Sequence, residues 1–238
     1  MSKKSTESSR AERTAALIKE QERKERMRKL TIVGAIMATL AVIAGVYFVL
    51  AQRADKASVG TVSASEYALG LGDENAPTKV VIYEDFLCPA CGYFESVTSD
   101  KLATAVTDGK AYVEYRPFDF LSRFGDYSAR ATNAFRAVWV QVGPDEAKAF
   151  HDSLFADQPS EEGPFPDDDW LVEKAVAAGA DEASIRPAIE NLEYADWVKE
   201  ATADASEIRG TPTVYVNGTI VEAGNLDDVA QAVFDAIG

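Results

Sequence analysis

The feature that most restricts the fold of this chain is an apolar run, LTIVGAIMATLAVIAGVYFVLA, from Leu30 to Ala51. Its 22 residues include no Asp, Glu, Lys or Arg. As a helix rising about 1.5 Å per residue, the run would extend roughly 33 Å, enough to cross the core of a bilayer. The alternatives are a helix buried in a soluble domain and a cleaved signal peptide, whose apolar region normally has about 7–15 residues. The sequence favours a single uncleaved transmembrane helix.

Charge is distributed unequally on the two sides of this run. Residues 1–29 carry ten Lys and Arg against five Asp and Glu, whereas the rest of the chain has a net charge of -20. Basic flanks stay in the cytoplasm. We therefore expect a basic cytoplasmic tail at 1–29, a membrane anchor at 30–51, a tether at 52–65 and a folded extracytoplasmic domain at 66–238. The overall net charge of -15 argues against a nucleic-acid partner.

The composition excludes several classes of protein. Hydrophobic residues make up 47% of the chain and charged residues 26%, so the chain is neither wholly disordered nor a multi-span membrane protein. It contains two cysteines and one histidine. Because zinc fingers and iron–sulfur clusters need about four soft ligands, we expect no metal and no cofactor.

Within the exported part, the order of the segments predicts an α/β fold. The β-rich runs predict strands at 78–86, 111–117, 213–216 and 219–222. Helical patterns predict helices at 89–106, 128–142, 145–156, 170–178, 181–191, 194–208 and 226–237. The three acids at 167–169 and Asn225 are expected to cap two of these helices. The result is a mixed sheet with helices on its faces and a helical insertion at about 120–208.

Both cysteines lie in one motif, Cys88-Pro89-Ala90-Cys91, at the junction between the first predicted strand and the first predicted helix. Cys88 stands at the helix N-terminus, where unpaired N–H groups and a partial positive charge stabilise a thiolate. Cys91 lies one turn inside the helix, so the two sulfurs can close a disulfide across that turn. The motif predicts a redox-active dithiol.

Two other interpretations of the motif remain open. A metal site would lack further ligands, and a purely structural disulfide would close a very small loop, which stabilises a fold little. An extracytoplasmic location favours disulfide exchange over both.

A second motif, Arg209-Gly210-Thr211-Pro212-Thr213, directly precedes a predicted strand. Proline has no backbone N–H, so it cannot donate a hydrogen bond to a neighbouring strand in the centre of a sheet. A cis peptide bond between Thr211 and Pro212 is one solution, and a trans proline that begins an edge strand is the alternative.

Together these segments resemble one known family. The stretches TKVVIYEDFLCPACGYFE, VEYRPFDFL, FHDSLFADQP and RGTPTVYVNG are similar to the DsbA-like branch of the thioredoxin superfamily, over roughly Leu69 to Gly238. The resemblance implies a thioredoxin-like fold with a helical insertion. It also implies that Cys88 is the nucleophile, that Cys91 is the resolving thiol and that Pro212 is a cis-proline beside them. Thr211, Pro89 and Ala90 would contact an extended substrate.

The sequence departs from that family at two positions. The best-known members carry a histidine where this chain has Ala90, and many thioredoxin-like sites bury a carboxylate where this chain has Ile82. Glu84 lies two residues further on the same face of the strand, so we interpret it as a replacement proton relay. A solvated acid at the strand end is the alternative. Asp85 faces the other way and is expected to cap or solvate the turn.

His151, the only histidine, lies in the FHDSLF segment of the predicted insertion, where a similar family motif packs between helices. We therefore expect a structural role for it.

The predicted function is that of an extracytoplasmic thiol–disulfide oxidoreductase acting as an oxidase. Its expected substrates are exported cysteine-containing proteins, and its expected redox partner is a membrane quinone-linked thiol oxidase. One alternative is a reductase or isomerase that a membrane electron carrier keeps reduced. The other is a non-enzymatic, chaperone-like module, which would not need Cys88, Cys91 and Pro212 together.

Overall fold

The computed structural model describes residues 65–238. The expected basic tail and membrane anchor, and all but the last residue of the expected tether, lie outside these residues. Among residues 65–238, no helix is long and apolar enough to cross a membrane.

A mixed five-stranded sheet forms the centre of the fold. Its strands are β1 Leu69–Leu71, β2 Thr78–Glu84, β3 Ala111–Pro117, β4 Thr213–Val216 and β5 Thr219–Ile220. They lie in the order β1-β3-β2-β4-β5. Strands β2 and β3 are parallel, and the other pairs are antiparallel. Because β2 is central and buried, its VVIY run is continuously apolar rather than alternating.

Seven helices surround the sheet within the described part of the chain. They are α1 Pro89–Thr107, α2 Tyr127–Gln141, α3 Pro144–Ala156, α4 Asp168–Ala177, α5 Glu182–Glu190, α6 Ala195–Asp204 and α7 Leu226–Ile237. Helix α1 connects β2 to β3, and α7 packs against α1. Helices α2 to α6 form an insertion between β3 and β4, and α3 of this insertion packs against α1. This contact brings the insertion beside the cysteine motif.

Side-chain caps explain where several helices begin. The carboxylate of Asp167 accepts a hydrogen bond from the backbone N–H of Trp170 at 3.1 Å. The side chain of Asn225 accepts one from the N–H of Asp228 at 2.9 Å. Both caps were predicted, and each satisfies a backbone donor that the first helical turn leaves unpaired.

The observed elements differ from the predicted ones mainly at their ends. Strand β2 ends at Glu84 rather than at residue 86, because Asp85 leaves the ladder and binds backbone N–H groups of other segments. Helix α6 ends at Asp204, four residues before the predicted end, and β5 has only two residues. Strand β1 was not predicted.

Candidate active site

Cys88 lies at the junction between β2 and α1. It is the N-cap of α1, with extended backbone angles, and Pro89 is the first helical residue. The carbonyl oxygen of Cys88 accepts hydrogen bonds from the N–H groups of Cys91 and Gly92 at 3.0 and 3.1 Å. Proline fits at this first position because it has no N–H to leave unpaired. Both thiols are free in this structure.

The surroundings of Cys88 favour its ionised form. A hydrogen bond from the Cys91 side chain lowers the pKa of Cys88, and burial opposes this effect. Hydrogen bonds with the side chain of Thr211 and with the backbone N–H groups of Cys91 and Ala90 lower the pKa further, to about 6. Those N–H groups belong to the first turn of α1. Cys88 is thus a thiolate over most of the neutral pH range.

Cys91 has the opposite environment. Its residue is 2% exposed, against 7% for Cys88. Burial raises the pKa of Cys91 well above its usual range, and the hydrogen bond with Cys88 and the negative charges of Cys88 and Glu84 act in the same direction. The two thiols therefore differ chemically: Cys88 is ready to attack, and Cys91 holds its proton.

The loop before β4 lies against Cys88. The peptide bond between Thr211 and Pro212 is cis, as the second motif suggested. The sulfur of Cys88 lies 3.3 Å from the carbonyl oxygen of Thr211, which can accept a hydrogen bond from Cys88 only while its thiol is protonated. Pro89 is exposed, and Ala90, Thr211 and Pro212 are half-buried, so all four residues are accessible to solvent.

Glu84 is buried rather than solvated, with only 2% of its surface exposed. Its Oε1 lies 2.7 Å from Nε2 of His151. After burial and the contacts with Cys88, the charge of Glu84 also contributes to the raised pKa of Cys91. Glu84 therefore lies in the interior of the protein, and the alternative of a solvated acid at the strand end is wrong.

Asp85 caps the turn, as predicted, but it is fully buried rather than solvated. Its carboxylate accepts hydrogen bonds from the N–H groups of Leu87, Phe120 and Leu121 at 2.7, 2.8 and 2.9 Å, and from the hydroxyl of Ser128 at 2.7 Å. These bonds join the cysteine loop to the start of the insertion. Burial raises the pKa of Asp85, and the four hydrogen bonds oppose that rise.

His151 joins a cluster of charged side chains that extends from the interior to the surface. The cluster consists of Glu84, Glu95, Lys148, His151 and Asp152. Burial alone would lower the pKa of His151, but the carboxylates around it, Glu84 foremost, raise it to about 9. The imidazole also packs on the rings of Tyr115 and Phe155, at centroid distances of 4.8 and 4.9 Å. The predicted packing role is correct, but the charged contacts were not predicted.

The same cluster contains the described residues best placed to hold a metal ion. Ligand atoms of Glu84, Glu95 and His151 lie within 4.8 Å of one another. However, Nζ of Lys148 lies 2.8 Å from Oε1 of Glu95, and His151 already contacts two carboxylates. These contacts are ion pairs within the protein rather than an open set of ligands.

Gln158 is a residue of the site that the sequence did not reveal. Its Nε2 donates hydrogen bonds to the carbonyl oxygens of Phe86 and Cys88, both at 2.9 Å. A Cβ atom at Gly92 would lie 2.6 Å from Oε1 of Gln158, so the glycine allows this close approach. A polar residue just after a helix resembles a solvated loop residue in a sequence, so no local signal distinguished Gln158.

A buried thiol, an activated thiol at a helix N-terminus and a cis-proline loop on a mixed sheet define a thioredoxin-fold dithiol site. The thioredoxin family model Thioredoxin_4 matches residues 64–235. The chain therefore belongs to the thioredoxin family.

Similar proteins specify the branch of that family. A probable disulfide bond formation protein D of Bacillus cereus is 25% identical over 218 residues, which are 86% of this chain and 95% of that protein. The oxidised DsbA structure from Mycobacterium tuberculosis is 30% identical, with a TM-score of 0.61, and covers 72% of this chain and 93% of that one. A reduced DsbG structure from the same organism is 30% identical, with a TM-score of 0.64, over 74% and 90% of the two chains. This protein is a DsbA-like thiol–disulfide oxidoreductase.

Proposed function

We propose that this protein is an oxidase, which donates the disulfide between Cys88 and Cys91 to exported proteins. A substrate thiolate attacks the sulfur of Cys88 and forms a mixed disulfide, while Cys91 leaves with the electron pair and takes up a proton. A second substrate thiolate then attacks the substrate sulfur of the mixed disulfide. The substrate leaves oxidised, and the enzyme keeps two electrons as a dithiol.

The position of Cys88 at the N-terminus of α1, where contacts with Cys91, Thr211 and the first-turn N–H groups lower its pKa to about 6, is the observation that carries this proposal. A disulfide is more oxidising when its reduced form is stabilised, and a stabilised Cys88 thiolate does this. Thiol pKa values of about 7 in thioredoxin and about 3.5 in DsbA accompany potentials of about -270 and -120 mV. We therefore expect a potential between these two values.

Glu84 is proposed as the group that exchanges a proton with Cys91. Its burial and its electrostatic effect on that thiol support the role.

We also propose that residues 30–51 anchor the protein, that residues 1–29 stay in the cytoplasm, and that a membrane quinone-linked thiol oxidase restores the disulfide. The uncharged run and its basic flank support the anchor.

The test is the redox state of the protein in its own cells, measured by rapid acid quenching and thiol labelling. An oxidase is expected to be mostly oxidised, with the Cys91→Ala variant accumulating mixed disulfides with exported proteins. The matched Cys88→Ala variant should accumulate none. A mostly reduced wild-type protein would instead support the reductase or isomerase alternative.

A further inference from the structure

His151 connects a buried carboxylate to a solvent-exposed one. Its Nε2 lies 2.7 Å from Oε1 of Glu84, and its Nδ1 lies 2.9 Å from Oδ1 of Asp152. The His151 side chain is completely buried and that of Glu84 is 2% exposed, whereas the Asp152 side chain is 45% exposed. Three titratable groups thus form a continuous hydrogen-bonded path from buried Glu84, whose charge acts on Cys91, to a side chain in contact with solvent.

Disulfide exchange requires such a path. Cys91 gains a proton when the enzyme is reduced, and it must lose one before it can attack a mixed disulfide. With 2% of its surface exposed, Cys91 exchanges protons poorly with water directly. Glu84 alone does not solve the problem, because it is equally buried.

We propose that His151 and Asp152 carry the proton between Glu84 and solvent. This inference rests on the proposed exchange of disulfides by Cys88 and Cys91, and on Glu84 as the proton acceptor for Cys91. Neither His151 nor Asp152 touches a sulfur in this role, since both act through Glu84.

The proton transfers balance in the following way. The S–H bond of Cys91 breaks, and its proton forms an O–H bond on the carboxylate of Glu84. The imidazolium of His151 releases its Nδ1 proton to the carboxylate of Asp152, which passes the proton to water. The Glu84–His151 pair keeps its total number of protons and changes from an ion pair to a neutral pair. The new thiolate of Cys91 therefore does not face a negative Glu84. Reduction of the enzyme reverses these steps.

The other groups around His151 fit this role. From α1, Oε1 of Glu95 lies 3.9 Å from Nδ1 of His151, and Lys148 of α3 pairs with both Glu95 and Asp152. The phenol of Tyr115 on β3 is buried, and burial raises its pKa well above the usual range, so it stays neutral. The remaining ring neighbours of His151 are Phe86, Phe135 and Phe155.

At rest the pKa values keep His151 protonated and Asp152 ionised, and a proton arriving on Glu84 removes the negative charge that holds the proton on His151. With a pKa raised to about 9, His151 holds a transferable proton at neutral pH. Burial would raise the pKa of Asp152, but the hydrogen bond and charge of His151 outweigh burial and lower it. A carboxylate of low pKa releases a proton to water as soon as it has received one.

A stopped-flow reaction of the reduced full-length protein with a chromogenic aryl disulfide tests this relay. Attack by Cys88 releases the first coloured thiolate, and attack by Cys91 on the mixed disulfide releases the second. The Asp152→Asn variant removes the outer acceptor but keeps the shape of the side chain. Asp157→Asn is the matched control, because Asp157 is an exposed carboxylate that pairs with Lys174.

We expect the Asp152→Asn substitution to leave the first phase unchanged and to slow the second by about tenfold or more. Added formate or imidazole buffer should restore the rate, because small bases can reach the exposed end of the path. Asp157→Asn should behave as wild type. His151→Gln should also slow the second phase, without rescue, since its site is buried.

A second phase as fast in Asp152→Asn as in the wild type would overturn the relay. So would an equally slow second phase in Asp157→Asn, or a slow second phase in Asp152→Asn that neither buffer restores. Absence of the first phase in the wild-type protein would contradict the proposed function instead, so the two failures are distinguishable.

Discussion

At the scale of single residues, two thiols separated by two positions have opposite properties. Cys88 receives hydrogen bonds from Cys91 and from the N–H groups of the first turn of α1, and its pKa falls to about 6. Cys91 is buried, and its pKa rises. Ala90, between them, supplies a backbone N–H but no side-chain charge or donor. The helix end and the partner thiol therefore control the nucleophile.

A histidine in place of Ala90 should make the disulfide more oxidising. An imidazolium beside Cys88 would stabilise its thiolate, and each unit by which the pKa of Cys88 falls raises the potential at pH 7 by about 30 mV. A glutathione equilibrium titration of wild type and Ala90→His measures the shift. Ala90→Phe, which adds a ring without a charge, should show no upward shift. An unchanged potential in Ala90→His would mean that the side chain at position 90 does not control the stability of the Cys88 thiolate.

His151 should make stability depend on pH. Its pKa in the folded protein, about 9, lies above the value of 6.5 for an unperturbed histidine. The stabilisation that protonated His151 gives to the folded state is therefore complete below pH 6.5 and is lost as the pH rises through 9. A shift of this size corresponds to about 3 kcal/mol.

Denaturant unfolding of the oxidised protein at several pH values tests this prediction, because the disulfide removes the titration of both thiols. The free energy of unfolding should fall between pH 6.5 and 9.5 in the wild type, and the fall should be much smaller in His151→Gln. Equal pH dependence in both proteins would show that His151 is not the group that titrates.

The cysteine motif and the cis-proline loop could be identified from the sequence because both depend on local spacing. The Glu84–His151 contact could not, because 67 residues separate its members and only the docking of α3 on the sheet brings them together. Gln158 was missed for the same reason. Its partners, Phe86 and Cys88, lie about 70 residues earlier in the chain.

At the scale of secondary-structure elements, α3 links the insertion to the active site at two points. His151 on α3 binds Glu84 at the end of β2, and Gln158, just beyond α3, binds the two carbonyl groups of the cysteine loop. Asp85 adds a third link, from the loop to the start of the insertion. The insertion thus holds the loop that carries Cys88.

Removal of the Gln158 donors should loosen this loop. Gln158→Met keeps the length of the side chain but loses both hydrogen bonds, so the free energy of unfolding should fall by about 1–3 kcal/mol. Hydrogen exchange at the cysteine loop should increase. Gln141→Met is the matched control, because Gln141 is exposed and donates only to Ser184. If both variants have the same stability, Gln158 does not hold the loop.

The predicted elements agree with the structure where the hydrophobic pattern is strong. Strands β3 and β4 and helix α7 have the predicted bounds. Strand β1 has only three residues, including Gly70, and its pairing with β3 depends on a close approach to Tyr112 that the local sequence does not show. Element ends such as that of β2 depend on tertiary hydrogen bonds, which hydrophobic periodicity does not report.

At the scale of the whole molecule, the chain combines a thioredoxin-family domain with a basic and apolar N-terminal region. The family match begins at residue 64, after the uncharged run at 30–51. A tethered oxidase would act on proteins as they leave the membrane and stay near a membrane partner. All the residues of the proposed redox chemistry lie between Glu84 and Pro212, outside the proposed anchor at 30–51.

The full-length protein should be recovered with the membrane fraction of its cells and should resist extraction by alkaline carbonate. Protease added to intact spheroplasts should digest the domain with Cys88, because residues 66–238 are expected outside. A variant without residues 1–51, exported by a cleavable signal, should appear in the soluble fraction. Recovery of the wild-type protein in the soluble fraction, or protection of its domain, would contradict the proposed location.

The most direct test of the central claim, that Cys88 is the attacking thiolate and Cys91 its buried partner, is alkylation of the reduced protein over a range of pH. Limiting iodoacetamide is added at each pH, and mass spectrometry locates the adduct. We predict modification at Cys88 with a rate midpoint near pH 6, as its lowered pKa requires, and almost none at Cys91. Faster modification of Cys91, or a Cys88 midpoint near the value of about 8.5 for a free cysteine, would contradict it.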